Sequence, residues 1–255
     1  MSYANASWLF VAAALAGAMN SVAGGGSFVS FPTLVFTGVP PIPANATSTV
    51  ALWPGSAASV WAYRKQFPRS ARLLVPLTLS SVSGGLAGAL ILLHTPQATF
   101  MHLVPYLFLV ATLLFTFGKR LSGWMGLHLK ISGTLSWPVV CGAALAQLFI
   151  AVYGGFFGGG IGILMLALLA MIRMDNIHSM NALKSLLAAA INGAAVVTFV
   201  VAGAVFWPQA IVMILGSTTG GFGGASLAQK IDPRFVRGFV IAVGFSMTAY
   251  FLWRY

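Results

Sequence analysis

The sequence predicts an all-α polytopic membrane protein of two inverted-topology repeats, each a glycine-broken helical hairpin followed by three transmembrane helices. Three observations carry this: an extreme composition, apolar runs of membrane length, and an internal match between the two halves. Of 255 residues, 59% are hydrophobic and 6% are charged, with a mean hydropathy of +0.94. Ordinary soluble domains carry about 25% charged residues. There are 13 Lys+Arg against 2 Asp+Glu, a net charge of +11. The basic residues sit in short clusters between apolar runs and form no polar face, which argues against nucleic-acid binding. Disorder is excluded by the apolar composition. A single cysteine, Cys141, excludes a disulfide framework and a two-thiol relay.

A membrane helix needs about 20 apolar residues. The first apolar stretch, 7–38, is too long for one straight span and is interrupted at Gly24-Gly25-Gly26. It reads as a hairpin of two shorter or tilted helices. Full-length candidates follow at 44–63, 70–93 and 99–118. The stretch 136–172 repeats the long pattern, with breaks expected at Gly154-Gly155 and Gly158-Gly159-Gly160. Three more spans follow at 180–202, 208–229 and 235–253. No Lys or Arg precedes the first apolar run, so the start reads as a retained membrane segment rather than a signal peptide.

Three landmarks recur at nearly constant spacing. Gly24-Gly25-Gly26 matches Gly158-Gly159-Gly160 at an offset of 134. Asn45-Ala46 matches Asn181-Ala182, and Gly84-Gly85 with Gly88 matches Gly220-Gly221 with Gly224, both at 136. One two-residue insertion reconciles the offsets, dividing the chain into repeats 1–130 and 131–255.

Lys and Arg collect in cytoplasmic loops. Arg64, Lys65, Arg69 and Arg72 mark one inside loop; Lys119, Arg120 and Lys130 mark the link between halves. Lys230, Arg234 and Arg237 mark the loop before the last helix. Segments 39–43, 95–101 and 203–209 have no Lys or Arg and should face outward. Each broken element then enters and leaves on one side, with 136–172 returning to the inside at Arg173. Each half makes an odd number of crossings, so the second half is upside down and both termini lie outside. Arg254 sits against this trend.

Inverted repeats with broken segments at matching positions are the transporter pattern, with substrate bound near the midplane. The breaks nominate Gly25, Gly26, Gly159 and Gly160, although glycine also serves close helix packing in lipid. The helix after each break carries a polar stripe. Asn45, Ser48, Thr49 and Ser56 become Asn181, Lys184, Ser185 and Asn192 at the 136 offset, on one helical face. Ser81 and Ser83, matched by Ser217 and Thr219, add polarity on the next helices. Ser83 and Thr219 join the candidate substrate-binding set. Such hydroxyls also back-bond to their own helix or join helices.

Lys184 replaces Ser48 within an apolar span. It either lines an anion path or snorkels to the cytoplasmic interface. Helix starts at Asn45 and Asn181 would favour an anion through free N–H groups and the positive dipole end. No apolar span contains Asp or Glu, so carboxylate-based sodium or proton sites have no candidate. His94, His102, His128 and His178 lie near loops or span ends. No metal cluster or cofactor motif is present, no histidine lies centrally in a span to pair with a serine, and no enzyme is expected.

These residues resemble the sulfite exporter TauE/SafE family. The resemblance rests on Ala23-Gly24-Gly25-Gly26-Ser27-Phe28-Val29-Ser30-Phe31-Pro32, on Ala44-Asn45-Ala46-Thr47-Ser48, and on their echo at Gly158-Gly159-Gly160 and Met180-Asn181-Ala182-Leu183-Lys184-Ser185. It covers nearly the whole chain. It implies transport of sulfite, sulfonates or related sulfur anions across the bacterial inner membrane. The leading expectation is a secondary, alternating-access transporter, exporting sulfite or an organosulfonate. The alternatives are a passive anion channel on the same scaffold and a non-transporting membrane assembly factor. The expected partners are a small anionic substrate and the lipid bilayer, with no nucleic acid. A homodimer is compatible with the sequence, although no stretch marks its interface.

Overall fold

The computed structural model describes residues 3–22, 25–67, 71–128, 136–172, 174, 176–228 and 233–254. The helices are α1 (Tyr3–Val22), α2 (Ser27–Phe36), α3 (Pro41–Ala62), α4 (Ala71–His94), α5 (Gln97–His128), α6 (Trp137–Phe156), α7 (Ile161–Met171), α8 (Ile177–Val201), α9 (Trp207–Ala228) and α10 (Pro233–Arg254). A single 3-10 turn, Arg64–Gln66, follows α3, and the described residues contain no strand. Four helical stretches are long and apolar enough to cross a membrane: Ala71–His94, Gln97–Gly118, Trp137–Phe156 and His178–Val201. Large apolar side chains face outward around the bundle, among them Leu79, Phe149, Leu215 and Phe239. Exposed apolar area of this extent needs lipid around it. The chain is an all-helical, multi-pass membrane protein.

Both long apolar stretches are broken near their glycine runs. The broken halves α2 and α7 have 10 and 11 residues. At 1.5 Å per residue each is about 15 Å long, half of a roughly 30 Å hydrocarbon core. Gly25 has φ +90°, and Gly158 and Gly160 have +82° and +77°. A side chain in this left-handed region meets its own carbonyl, so glycine is the residue that lets the chain turn there. Gly24 lies outside the described residues.

Three expectations need correction. Gly154 and Gly155 do not break the second element; they are helical in α6 and buried. A methyl group on Gly155 would meet the Gly85 carbonyl oxygen at 2.2 Å, so this glycine admits α4. Asn45 and Asn181 are not helix starts. Helix α3 begins at Pro41, whose ring suits a first turn that needs no N–H donor. Helix α8 is capped by Asn176, whose side chain accepts from the His178 and Ser179 N–H groups. Both asparagines therefore lie one turn inside. The link between halves is also less open than expected, because α5 stays helical through Lys119 and Arg120 to His128. Backbone hydrogen bonding does not require an apolar side chain, so the helix outlasts the span. Arg69, Lys130, Arg173, Lys230 and both acids, Asp175 and Asp232, lie outside the described residues.

Glycine contacts set the helix pairs. Methyl groups on Gly84 and Gly88 would strike the carbonyl oxygens of Leu148 and Val152, at 2.7 and 2.1 Å. Methyl groups on Gly216 and Gly220 would strike those of Phe10 and Ala14, at 2.5 and 1.9 Å. Helices α4 and α6 thus run parallel, as do α1 and α9. Helices α5 and α10 run antiparallel: Phe108 meets Phe251, Thr112 meets Gly244, and Phe115 accepts from Arg237. Helices α3 and α8 cross where the Trp53 indole N–H donates to the Ala189 carbonyl at 3.2 Å. At one end of the bundle the Ile42 N–H donates to Gln97 Oε1, the Phe206 N–H donates to Thr47 Oγ1, and Phe36 packs on Tyr250. The three segments without Lys or Arg are thereby gathered at that end, together with the last turn of α10.

Candidate functional site

On α3, Asn45 and Ser48 are buried, and with half-buried Thr49 they are paired. Asn45 donates from Nδ2 to the Phe156 carbonyl at 3.1 Å, tying α3 to the last residue of α6. The Ser48 hydroxyl pairs with that of Ser30 at 2.6 Å, tying α3 to α2. Thr49 donates back to the Asn45 carbonyl at 2.9 Å. Ser56, further along, is half-buried. Buried polar groups cost free energy unless paired, and here Asn45, Ser48 and Thr49 are paired within the protein.

The stripe on α8 is different. Asn181, Lys184, Ser185 and Asn192 are half-buried, and their side chains make no hydrogen bond among the described residues. Lys184 lies seven residues inside α8, which places it about 10 Å along the helix axis. Its stem crosses the first turn of α7: a methyl group built on Gly162 would lie 3.4 Å from Lys184 Cδ. A methyl group at that position would make ordinary van der Waals contact with the stem, so the stem and the α7 backbone lie side by side. An ammonium at depth in a span costs about 2.5–3.5 kcal/mol on insertion scales.

The two breaks converge on one stretch of α5. Gly25 lies against Phe115 and Val240, within 3.0–3.1 Å of a would-be methyl group. Gly159 and Gly160 lie against Ala111, at 3.1 and 3.5 Å. Residues 111 and 115 are one helical turn apart, about 6 Å along the axis. Each break is held by a side chain from its longer arm. Asn20 Oδ1 accepts from the Gly26 N–H at 2.8 Å, and the Tyr153 hydroxyl donates to the Gly159 carbonyl at 2.8 Å. The starts of α2 and α7, at Gly26 and Gly160, have no side-chain cap hydrogen bond. These two starts, rather than Asn45 and Asn181, bring positive helix ends into the interior.

Ser83 and Thr219 are exposed on the outside of the bundle, and Thr219 donates back to its own helix at Leu215 and Gly216. Their neighbours Ser81 and Ser217 are buried instead. Ser81 accepts from Gln147 Nε2 at 2.9 Å, and Ser217 donates to the Ala51 carbonyl at 2.6 Å. Sequence reasoning missed Asn20, Tyr153, Trp53, Gln147 and the role of Ser30 in pairing with Ser48. A polar residue within an apolar run was the available signal for Asn20, beside Ser21, and for Gln147, which stands alone. Trp53 and Tyr153 carry none, because aromatic residues are ordinary in such runs.

Comparison with known proteins identifies the family of the chain. The family described as "Sulfite exporter TauE/SafE" matches residues 9–251. A "Probable membrane transporter protein ORF9" from Sinorhizobium sp. is 25% identical over 94% of this chain and 89% of its own length. A "Probable membrane transporter protein" from Haemophilus influenzae is 27% identical, covering 94% and 92%. The "Probable membrane transporter protein YfcA" of Escherichia coli K12 is 26% identical, covering 96% and 88%. No solved structure matches. With a match that spans nearly its whole length, this chain belongs to the TauE/SafE family of membrane transporters.

Proposed function

We propose that the protein is a secondary transporter that exports a small sulfur-containing anion, sulfite or an organosulfonate, by alternating access across the bacterial inner membrane. The observation that carries this reading is the contrast between the stripes. On α3, Asn45, Ser48 and Thr49 are consumed by the fold. On α8, Asn181, Lys184, Ser185 and Asn192 keep their hydrogen-bonding capacity, and Lys184 lies across the first turn of uncapped α7. A cation beside a positive helix end suits an anion. Gly25, Gly26, Gly159 and Gly160 act as close-approach backbone and hinges.

We also propose that the halves, 1–130 and 131–255, are inverted repeats with both termini outside. Helix pairing supports this. The contact of α4 with α6 at Gly84 and Leu148 has its counterpart between α9 and α1 at Gly220 and Ala14, at the sequence offsets of 136 and 134. Equivalent helices α5 and α10 run antiparallel, as an axis lying in the membrane plane requires. Trp53 donates to Ala189, which stands 136 residues on, and this supports an axis passing near that bond.

The test is saturable flux in liposomes across sulfite, sulfate, thiosulfate and sulfonates, with and without a proton gradient. Lys184→Met should abolish saturable flux while the protein elutes as the folded species. Wild-type-like flux in that variant would remove the role of Lys184. Flux that never saturates, with no counterflow, would replace the transporter by a channel.

A further inference from the structure

Arg254 is the cation that charge counting leaves unplaced. Its guanidinium lies over the Tyr250 ring, 5.7 Å from the centroid, and donates to the Tyr250 hydroxyl. With Val35, Phe36 and Phe251 these residues line a cavity of about 150 Å³. The cavity opens at the end of the bundle where the segments lacking Lys and Arg gather. Its floor is Phe251. Behind Phe251 stands Phe31, which is 0% exposed. The Phe31 ring lies 6.0–6.3 Å from the rings of Phe100, Phe108, Phe157 and Phe251. Phe108 continues to Phe28 at 5.3 Å, and Phe28 to Phe115 at 5.6 Å, beside Gly25. Rings packed edge-on or tilted thus run along α5 from the cavity to the level of the first break. An ordinary apolar core accounts for close-packed rings. It does not account for a column with an arginine-lined cavity at one end, the first glycine break at the other and the second break packed beside it at Ala111.

We infer that the cavity beneath Arg254 is the vestibule of the anion path, and that the rings around Phe31 are its closed gate. This rests on the anion-transport reading above. The vestibule takes a small anion, which competes with the Tyr250 face for the guanidinium. The gate opens when α10 moves relative to α2, because Phe251 is the ring that separates Phe31 from the cavity.

Cysteine labelling in the full-length protein tests this without any transported substrate. In a C141S background, V35C and F31C are reacted with membrane-impermeant methanethiosulfonates added at the vestibule end of oriented proteoliposomes. V35C should react readily, and F31C at least about ten-fold more slowly, since close packing excludes the reagent. Adding F251A should raise the F31C rate about ten-fold, whereas F251L should leave it protected. Should F251A not fold, F108A at the next ring takes its place. F31C reacting as fast as V35C, or staying unreactive after the ring is removed, overturns the gate. At V35C, R254Q should lower the ratio of sulfonate-bearing to trimethylammonium reagent rates about five-fold, as loss of one nearby charge implies. An unchanged ratio overturns the anion vestibule. Absence of sulfite flux with this labelling pattern removes the substrate reading and leaves the gate standing.

Discussion

The Ser30–Ser48 pair shows how a single residue divides between structure and function. Position 48 holds a hydroxyl satisfied by a neighbour, whereas its equivalent holds the ammonium of Lys184. Removing the Ser30 hydroxyl leaves that of Ser48 buried and unpaired, which costs about 1–3 kcal/mol, whereas Ser30 without Ser48 still donates to the Gly26 carbonyl at 3.2 Å. Ser30→Ala and Ser48→Ala should each lower the thermal midpoint in detergent. The double variant should cost less than their sum, because the two residues are coupled. Glycines divide in the same way. Gly220→Ala would drive a methyl group to 1.9 Å from the Ala14 carbonyl, and backbone does not yield cheaply. It should cost about 1–3 kcal/mol. Gly142, with nothing within 4 Å of its added methyl group, should accept Ala with no loss.

At the scale of elements, the half-helices depend on their turns. Gly160 isolates the backbone effect, since an added methyl group finds only ordinary contacts near 3.5 Å, while φ is +77°. Gly160→Ala should therefore destabilise by about 1–2 kcal/mol through conformation alone, read as a lower midpoint of thermal unfolding. Tyr153→Phe should leave the helices intact and loosen the break, because the hydroxyl that holds the Gly159 carbonyl is lost. Hydrogen exchange at 157–160 should rise without change in α6, whereas unchanged exchange would show that the bond does not hold the turn. The length of the apolar runs showed where these elements lie. Their ends followed other rules: Pro41 and Asn176 start α3 and α8 early, and hydrogen bonding carries α5 past its apolar stretch.

Across the whole molecule, the gathering of 39–43, 95–101 and 203–209 at one end gives the charge pattern a geometric counterpart. Single cysteines in these segments should react from outside the cell, and one at Lys65 should react only after permeabilisation. The reverse pattern would invert the proposed orientation. Arg237 refines the same picture. It lies within α10, not in the loop before it, and donates to the Phe115 and Thr116 carbonyls of α5. A basic residue can thus mark the membrane edge while serving helix packing.

The surplus of basic over acidic residues, the span lengths and the duplicated landmarks were legible in the chain itself. Lipid demands long apolar helices, and such helices write their length into the composition. Membership of the family was legible too, because the order of its motifs survives in the sequence. Which polar residues are consumed was not. Asn45 and Asn181 occupy equivalent positions, and only the tertiary structure gives Asn45 the Phe156 carbonyl. Ser81 and Ser83 differ by two residues, yet one is buried and the other faces outward. Pairing and burial depend on which helix arrives opposite a side chain, and that is decided by contacts far apart in sequence.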